Sequence, residues 1–218
     1  MRLILVRHGE TEWVRQGLYQ GSTDVPLNRR GLAQACAVAS TIKKERPIAV
    51  YSSELTRAFE TAKLIGQSSR RSVVVDKRLN EVSFGRWEGE SHEGIRVDFP
   101  KLSASWYSAR WSSRPPGGES LKSLKTRISA FLNEILKQFA HQDKNCVVVT
   151  HGGPIRMFLI HLLNIEPKVF WTIRIDPASV SIIHLTPKRR ELVLLNSQAH
   201  LNGLIPHHRN IVKSNGGG

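Results

Sequence analysis

Short apolar runs alternate along the chain with segments whose apolar residues recur at helical spacing. Leu3 to Val6 and Cys146 to Val149 are uninterrupted apolar runs with polar residues on either side. Runs of this kind are typical of strands that are covered on both faces of a sheet. The stretches that we predict to be strands are residues 2–6, 48–51, 73–75, 145–150, 180–185 and 191–195.

The segments between these runs predict helices. Asn28 is a good N-cap residue for the first long helix, and Pro47 lies just beyond its end. Ser52 or Ser53 is expected to cap the next helix, and Pro154 falls in the first turn of a later one. The predicted helices cover residues 32–44, 54–66, 119–141 and 155–163. Since strands and helices alternate, we predict an α/β fold, a three-layer α/β/α sandwich with a mostly parallel sheet.

The segment from Leu79 to Gly118 breaks this pattern and is rich in Trp, Gly, Ser and Pro. We interpret residues 84–118 as a small inserted segment of short helices that serves as a lid. Its tryptophans are expected to pack the insertion, with stacking on an aromatic leaving group as the alternative; they are Trp87, Trp106 and Trp111. Residues 1–201 would then form a single domain, and residues 202–218 a flexible tail.

Composition limits the partners of the chain. Its 218 residues carry a formal net charge of +14, which favours anionic partners. The basic residues are scattered in pairs and triplets and do not alternate with aromatic residues, so we predict no specific nucleic-acid binding. No apolar run approaches the roughly 20 residues that a membrane span needs, so we predict no membrane association.

The cysteines and histidines predict neither a disulfide nor a metal site. Cys36 and Cys146 lie in apolar segments and are interpreted as buried free thiols of a reducing, cytoplasmic compartment. No Cys/His cluster has the spacing of metal ligands, and we predict no metal and no other cofactor.

Two of the predicted strands end in the same way. Arg7-His8-Gly9 follows the first strand, and His151-Gly152-Gly153 follows a later one. Gly9 would let the backbone turn at once and a ligand approach closely. A third strand ends in Ser52-Ser53 and leads to Arg57 one helical turn on. Because ligands bind beyond the carboxyl ends of parallel strands, we expect two histidines and two arginines in one pocket.

That set of side chains suits a phosphoryl group. Arginine forks pair with phosphate oxygens, and the N–H groups at the start of the helix after His151 favour an anion. A neutral imidazole nitrogen can attack phosphorus, provided that its other nitrogen donates to a backbone carbonyl. The second histidine can stabilise charge on the phosphoryl oxygens. A carboxylic acid must lie nearby to protonate the leaving oxygen.

The motifs occur in a recognisable order. They are Leu5-Val6-Arg7-His8-Gly9-Glu10-Thr11, Asp24-Val25-Pro26-Leu27, Ser52-Ser53-Glu54-Leu55-Thr56-Arg57-Ala58, Leu79-Asn80-Glu81 and Thr150-His151-Gly152-Gly153. In these motifs the chain resembles the histidine phosphatase superfamily, the phosphoglycerate-mutase-like enzymes. The resemblance extends from residue 2 to about residue 200.

The resemblance implies a role for each motif residue. His8 would be the nucleophile, and Arg7, Arg57 and His151 the rest of the phosphate pocket. Glu81 would be the proton donor, and no metal would take part. The predicted substrate-binding residues are Arg7, Gln20, Gly21, Ser22, Arg57, His151 and Gly152.

One position departs from the family pattern. The family commonly has asparagine six residues after the nucleophile, and this chain has Val14 there. The missing amide puts the efficiency and specificity of the site in question. Gln16 or Gln20 could substitute for it.

The substrate is less sharply implied. Phe84 to Gly89 lacks the pattern typical of mutases that use bisphosphoglycerate and favours the phosphatase branch. Residues 115–120, 170–176 and 195–201 are similar to α-ribazole phosphatases of the cobalamin pathway, so α-ribazole 5'-phosphate is a candidate among small phosphorylated metabolites. A broad-specificity phosphatase, a phosphoglycerate-type mutase and a phosphate-binding or interaction module with a degenerate site are the alternatives. A homodimer is considered beside a monomer.

Overall fold

The computed structural model describes residues 1–139 and 144–201. The strands are β1 (Arg2–Arg7), β2 (Ala49–Ser52), β3 (Val73–Val75), β4 (Asn145–Thr150), β5 (Val180–Leu185) and β6 (Arg190–Ser197). The helices are α1 (Glu12–Gln16), α2 (Arg29–Lys44), α3 (Thr56–Ser69), α4 (His92–Asp98), α5 (Pro100–Tyr107), α6 (Leu121–Phe139) and α7 (Gly152–Leu163).

These strands form one sheet in the order β3-β2-β4-β1-β5-β6. The first four strands of that order are parallel, while β5 is antiparallel to β1 and β6 is antiparallel to β5. The α/β fold with a mostly parallel sheet is therefore confirmed.

Helices cover both faces of the sheet. Successive residues of a strand point to opposite faces. Leu3 and Leu5 accordingly join the core that contains residues of α6 and α7, and Ile4 and Val6 join the core that contains residues of α2 and α3. Because both faces are covered, β1 has no polar residue between Leu3 and Val6.

The start of α2 follows the sequence prediction. The side chain of Asn28 accepts a hydrogen bond from the Gly31 backbone N–H at 2.8 Å, as an N-cap residue does. The helix begins at Arg29, three residues before the apolar pattern does. The stretch between β1 and α2, predicted to be a loop, also contains the short helix α1.

The predicted cap of α3 was wrong. This helix begins at Thr56, and its N-cap residue Leu55 makes no side-chain capping bond. Asp24 caps it instead, because its carboxylate accepts from the Thr56 backbone N–H at 2.8 Å and from the Thr56 hydroxyl at 2.6 Å. A residue from a distant loop thus satisfies the helix start, which no local pattern could reveal.

The two cysteines, both predicted to be buried, differ in exposure. Cys146 is buried, but Cys36 is exposed on α2, so its assignment to the core was wrong. The helical periodicity around residue 36 placed the cysteine one position away from the buried stripe, which includes Ala35 and Val38. The predicted end of α6 near His141 and the predicted tail at residues 202–218 lie outside the described residues.

The inserted segment contains short helices, α4 and α5, as predicted. Trp87 and Trp106 are fully buried, and Trp111 packs against the same core, which also contains Leu3 and Leu5. The packing interpretation is therefore confirmed for Trp87 and Trp106. That the segment acts as a lid stays a prediction.

Candidate active site

Three neighbouring strands deliver the predicted residues to one edge of the sheet. Arg7 at the end of β1 lies opposite Thr150 at the end of β4, and β2 pairs with the other side of β4. The next backbone groups continue this pairing, since the His8 N–H donates to Thr150 at 3.0 Å and the Ser53 N–H donates to Val149 at 3.1 Å. The residues that follow β1, β2 and β4 therefore lie side by side at one edge of the sheet.

His8 is 2% exposed, and its two ring nitrogens have different roles. Nδ1 lies 2.7 Å from the backbone carbonyl oxygen of Gly9. A carbonyl oxygen only accepts, so Nδ1 carries the proton and Nε2 carries the lone pair. Burial, with Arg57 and Arg7 nearby, holds the pKa of His8 well below its ordinary value of 6.5. His8 is therefore a neutral imidazole with the tautomer that a nucleophile at Nε2 requires.

Gly9 allows a close contact between the chain after β1 and helix α2. A Cβ atom at Gly9 would lie 2.3 Å from the backbone carbonyl oxygen of Gly31 in α2. The first turn of that helix fills the space that a side chain would need, and the approach of a ligand to Gly9 stays a prediction. The close approach fixes the direction in which the chain leaves His8.

Arg57 is fully buried, and the loop after α1 binds its guanidinium group. Its Nη2 donates to the carbonyl of Gly21 at 2.7 Å, and its Nη1 donates to that of Thr23 at 2.8 Å. The Gln20 amide satisfies both its neighbours when its nitrogen donates to Thr11 Oγ1 at 2.9 Å and its oxygen accepts from Nε and Nη1 of Arg57 at 3.2 Å. Burial lowers the pKa of Arg57 to about 10, so it stays charged near neutral pH.

Arg7 is tied to the protein through one nitrogen. Its Nη1 donates to the backbone carbonyl of Ile175 at 2.6 Å. Its Nε is buried and has no hydrogen-bond partner within residues 1–139 and 144–201. Burial lowers the pKa of Arg7, and the charges of Glu81 and Asp176 oppose that shift. A buried donor without an acceptor is costly, and an anion bound here would supply the acceptor.

His151 lies beside His8, with 5.0 Å between the ring centroids. Its Nδ1 accepts from Arg57 Nε at 3.3 Å, and its Nε2 lies 2.8 Å from the Ser53 hydroxyl. That hydroxyl donates its proton to Asn80 Oδ1 at 2.9 Å, so Nε2 of His151 is the donor to Ser53. Burial and the charge of Arg57 hold the pKa of His151 well below its ordinary value. The two histidines are thus neutral and carry their protons on different nitrogens.

The Glu81 carboxylate lies at the start of α7. Its Oε1 accepts from the backbone N–H groups of Val82 at 2.9 Å and Gly153 at 3.1 Å. A Cβ atom at Gly153 would lie 2.3 Å from that oxygen, so only glycine leaves room for it. The helix start does favour an anion, as predicted, and here the anion is the carboxylate of the predicted proton donor.

The loop residues in the predicted substrate-binding set have their polar groups engaged within the protein. Gly21 uses its carbonyl for Arg57, while the backbone N–H and hydroxyl of Ser22 both donate to Glu88, each at 2.9 Å. Gly152 is buried as the first residue of α7. The arrangement holds Arg57 in place, and direct contact of these residues with substrate stays a prediction.

Sequence reasoning missed Glu88. Its carboxylate also accepts from the backbone N–H groups of Thr23 and Phe84, both at 2.9 Å, and so joins the loop around Arg57 to the inserted segment. Although burial raises it, the pKa of Glu88 is lowered overall by hydrogen bonds from Thr23 and Ser22. Glu88 stood inside a motif that resembles the family, but a single carboxylate in a loop gives no signal of its partners.

The two glutamines proposed to replace the family's asparagine differ in position. Gln16 is exposed and donates to Glu12 at 2.9 Å. Gln20 is buried against Arg57, as described above. Val14 is half-buried in α1, and its backbone N–H donates to Thr11 Oγ1 at 3.2 Å. Of the two glutamines, only Gln20 contacts the predicted phosphate pocket.

Two wider features of the described chain bear on its chemistry. Within residues 1–139 and 144–201, no group of three or more His, Cys, Asp and Glu side chains is arranged to hold a metal ion. In the same residues, every helix falls short of the length and apolar character of a membrane-crossing segment.

Comparison with known proteins identifies the family of the chain. The model of the histidine phosphatase superfamily (branch 1) matches residues 3–198. Phosphoserine phosphatase 1 of Hydrogenobacter thermophilus is 35% identical over 92% of this chain and 94% of its own length. The adenosylcobalamin/α-ribazole phosphatase of Escherichia coli is 32% identical over 91% of this chain and 97% of its own length.

Solved structures of phosphatases have the same fold as this chain. A mycobacterial glucosyl-3-phosphoglycerate phosphatase in complex with VO3 superposes with a TM-score of 0.83 at 30% identity, covering 90% of this chain and 99% of that one. The chain therefore belongs to branch 1 of the histidine phosphatase superfamily and is an enzyme of the phosphomonoester hydrolase class.

Proposed function

We propose that the protein hydrolyses a small phosphorylated metabolite without a metal, through a phosphohistidine intermediate on His8. The observation that carries this proposal is the state of His8, a buried neutral ring whose Nδ1 bonds Gly9 at 2.7 Å and whose Nε2 is free to attack. Arg7 and Arg57 flank it with positive charge that matches a phosphoryl dianion.

The chemistry proceeds in two steps. Nε2 of His8 forms a bond to phosphorus while the bond from phosphorus to the ester oxygen breaks, and Glu81 gives that oxygen a proton. Glu81 then takes a proton from water, which attacks phosphorus and breaks the bond to Nε2. Free phosphate leaves, and His8 and Glu81 return to their initial states.

The intermediate can be tested directly. Wild-type protein mixed with a ³²P-labelled phosphomonoester and quenched in alkali should retain label that acid removes, because a phosphoramidate is stable to base and labile to acid. His8→Ala should lose the label and nearly all turnover of p-nitrophenyl phosphate. His184→Ala is the matched control, since His184 lies on β5, where it pairs with Arg2 at the far end of the sheet. Wild-type turnover by His8→Ala would refute this mechanism.

The substrate is a separate question. The relatives bear the names of phosphatases for phosphoserine, α-ribazole and glucosyl-3-phosphoglycerate, and the sequence motifs favour α-ribazole 5'-phosphate as a candidate. Burial of Trp87 and Trp106 makes these two rings unavailable for stacking on a benzimidazole, which weakens that candidate. A phosphate-release screen over α-ribazole phosphate, phosphoglycerates, sugar phosphates and phosphoserine would rank them by kcat/KM.

The remaining alternatives have their own tests. A phosphoglycerate-type mutase would return an isomerised product in place of free phosphate, and a binding module would bind phosphate esters without turnover. Binding of random DNA that persists at physiological salt would contradict our prediction of no specific nucleic-acid partner. A homodimer and a cytoplasmic location stay predictions.

A further inference from the structure

A third arginine lies beside the proposed phosphate pocket without an assigned role. Arg156 follows Gly153 by one turn of α7 and is partly buried. Its Nε donates to the backbone carbonyl of Ile173 at 2.8 Å. Its guanidinium carbon lies 5.4 Å from the ring centroid of Trp171 and 5.7 Å from that of Phe170. These contacts hold the guanidinium group in place without a hydrogen bond from either Nη atom.

Within residues 1–139 and 144–201, no carboxylate is in direct hydrogen-bond or ion-pair contact with Arg156. Neither Nη atom makes a hydrogen bond or an ion pair with any residue of those two ranges. Burial lowers the pKa of Arg156 to about 10 and the charge of Arg7 adds to that shift, while the charges of Glu81 and Asp176 oppose it. The group still carries its charge near neutral pH, and a partly buried cation of this kind is stabilised by a bound anion.

Distances from Gly152 show on which side of the pocket Arg156 lies. A Cβ atom at Gly152 would be 3.3 Å from Nη1 of Arg156 and 3.9 Å from Oε2 of Glu81. Both groups therefore border the first residue of α7. Glu81 is the proposed proton donor to the leaving oxygen, so Arg156 lies where the leaving group would be.

The charges of the site support a second anion there. Arg7 and Arg57 together match the two negative charges of a phosphoryl group. Glu81 is neutral when it acts as the proton donor. Asp176, the other carboxylate whose charge acts on Arg156, already pairs with Arg174 at 2.9 Å. Arg156 then leaves one positive charge that the phosphoryl group does not balance.

We propose that Arg156 is a specificity-determining residue that binds a carboxylate on the leaving group, so that the substrate is a phosphorylated hydroxy acid or amino acid. The inference rests on the proposed function and narrows its substrate class. A guanidinium fork suits a carboxylate because two parallel N–H bonds match its two oxygens. α-Ribazole 5'-phosphate has no carboxylate and would leave the charge unbalanced.

Two matched substrate pairs isolate the carboxylate. O-Phosphoserine differs from phosphoethanolamine by that group alone, and 3-phosphoglycerate differs from glycerol 3-phosphate by a carboxylate in place of a hydroxymethyl group. We expect the wild-type enzyme to have a kcat/KM about 10- to 100-fold higher for the carboxylate member of at least one pair. A factor of this size is what hydrogen bonds between charged groups typically contribute to binding. p-Nitrophenyl phosphate serves as a reference substrate without a carboxylate.

Variants of Arg156 test whether this residue causes the preference for substrates with a carboxylate. Arg156→Gln should abolish it by lowering kcat/KM for the carboxylate member, while hydrolysis of phosphoethanolamine, glycerol 3-phosphate and p-nitrophenyl phosphate changes by less than about threefold. Arg156→Lys should keep part of the preference, because it keeps the charge and loses the fork. Arg189→Gln is the control for loss of one positive charge, since Arg189 is exposed and pairs with Glu191 at 2.8 Å beyond the far end of β5.

The outcomes separate this inference from the proposed function. Absence of p-nitrophenyl phosphate hydrolysis would overturn the proposed function, and calorimetric binding of phosphoserine against phosphoethanolamine would then still decide the role of Arg156. Equal kcat/KM within both pairs for the wild-type enzyme would overturn the inference alone. So would an Arg156→Gln enzyme that loses activity equally on both members, because that result assigns Arg156 to phosphate binding or to packing. Thermal unfolding of each variant checks that it is folded.

Discussion

The reactivity of the site depends at the residue scale on which nitrogen of each histidine carries its proton. The Gly9 carbonyl fixes the proton of His8 on Nδ1, and Ser53 with Asn80 fixes that of His151 on Nε2. Neither assignment needs a metal or a neighbouring carboxylate. The lone pair of the proposed nucleophile is therefore present before any substrate arrives.

We expect both rings to stay neutral at a pH at which exposed histidines have become charged. Burial is the main cause of the lowered pKa of each, and the charge of Arg57 adds to it. Long-range ¹H–¹⁵N spectra recorded from pH 8 to pH 5 should show neutral His8 with a protonated Nδ1, and neutral His151 with a protonated Nε2. A His8 ring that titrates near 6.5 would contradict the assignment.

The same shift has a consequence for stability. The folded-state pKa values lie below 6.5, while in the unfolded chain the histidines titrate near their ordinary value, so the unfolded state takes up protons first. The stabilising contribution is complete above about pH 6.5 and is lost as the pH falls toward the folded-state values. Each histidine can change the slope of the unfolding free energy by up to about 1.4 kcal/mol per pH unit, and His8→Gln should reduce that slope in urea unfolding.

Glu81 is expected to matter most for poor leaving groups. Glu81→Gln removes the transferable proton and keeps the shape, so hydrolysis of an alkyl phosphate should fall by roughly 10²- to 10⁴-fold. p-Nitrophenyl phosphate, whose leaving group needs little protonation, should slow far less. Steady-state kcat/KM on the two esters measures the difference, because it reports the step that releases the leaving group and not the later hydrolysis of phospho-His8, which both esters share. Exposed Glu93→Gln is the control. Equal slowing of both esters would exclude the acid role.

At the scale of elements, the site depends on a loop that is held from two sides. The loop between α1 and α2 supplies the carbonyls of Gly21 and Thr23 that bind Arg57, and Asp24 of the same loop caps α3. Glu88 joins this loop to the inserted segment. The position of Arg57 therefore depends on contacts among three segments that are distant in sequence.

Glu88→Gln tests that connection. An amide in place of the carboxylate turns one acceptor into a donor that faces the N–H groups of Thr23 or Ser22. We expect kcat/KM to fall by about 10- to 100-fold, because hydrogen bonds to a charged acceptor are lost and Arg57 is less firmly held. Glu90→Gln, at an exposed position in the same segment, should leave kcat/KM unchanged. If both variants behaved alike, Glu88 would have no positioning role.

At the scale of the whole molecule, the inserted segment and the sheet share one core. Trp87, Ile95 and Trp106 from the insertion belong to the same buried cluster as Leu5 and Val148. A segment packed in this way has no core of its own. We therefore expect it to unfold together with the sheet.

Trp106→Ala checks this expectation. Removing a fully buried aromatic side chain should lower the free energy of unfolding by about 3–5 kcal/mol. Urea unfolding followed by far-UV circular dichroism and by tryptophan fluorescence should give one coincident transition in the wild type. Val97→Ala is the control, because Val97 is 73% exposed in the same segment. Separate transitions for the two signals would show that the insertion unfolds on its own.

The alternation of apolar runs and helical spacing was sufficient to predict the layered fold, and the motif order was sufficient to place His8, Arg57, Glu81 and His151 in one site. The pattern and the motifs both depend on residues that are adjacent in the sequence. A strand covered on both faces must be apolar throughout, and each family motif consists of consecutive residues. The cap of α3 by Asp24 and the exposure of Cys36 were not predictable, because they depend on neighbours far away in the sequence.

The sequence by itself determined which residues meet at the carboxyl ends of β1, β2 and β4, since parallel strands bring their ends to one edge. Only the tertiary structure decided the protonation of the two histidines and the binding of Arg57 by Gln20 and by the loop that Glu88 holds. It also decided the charge of Arg156, which has no ion-pair partner among the described residues. These properties depend on burial and on hydrogen bonds over a few ångströms, and such distances are set by packing between segments. The residue types fix the class of chemistry, while the packing fixes the charge state in which that chemistry begins.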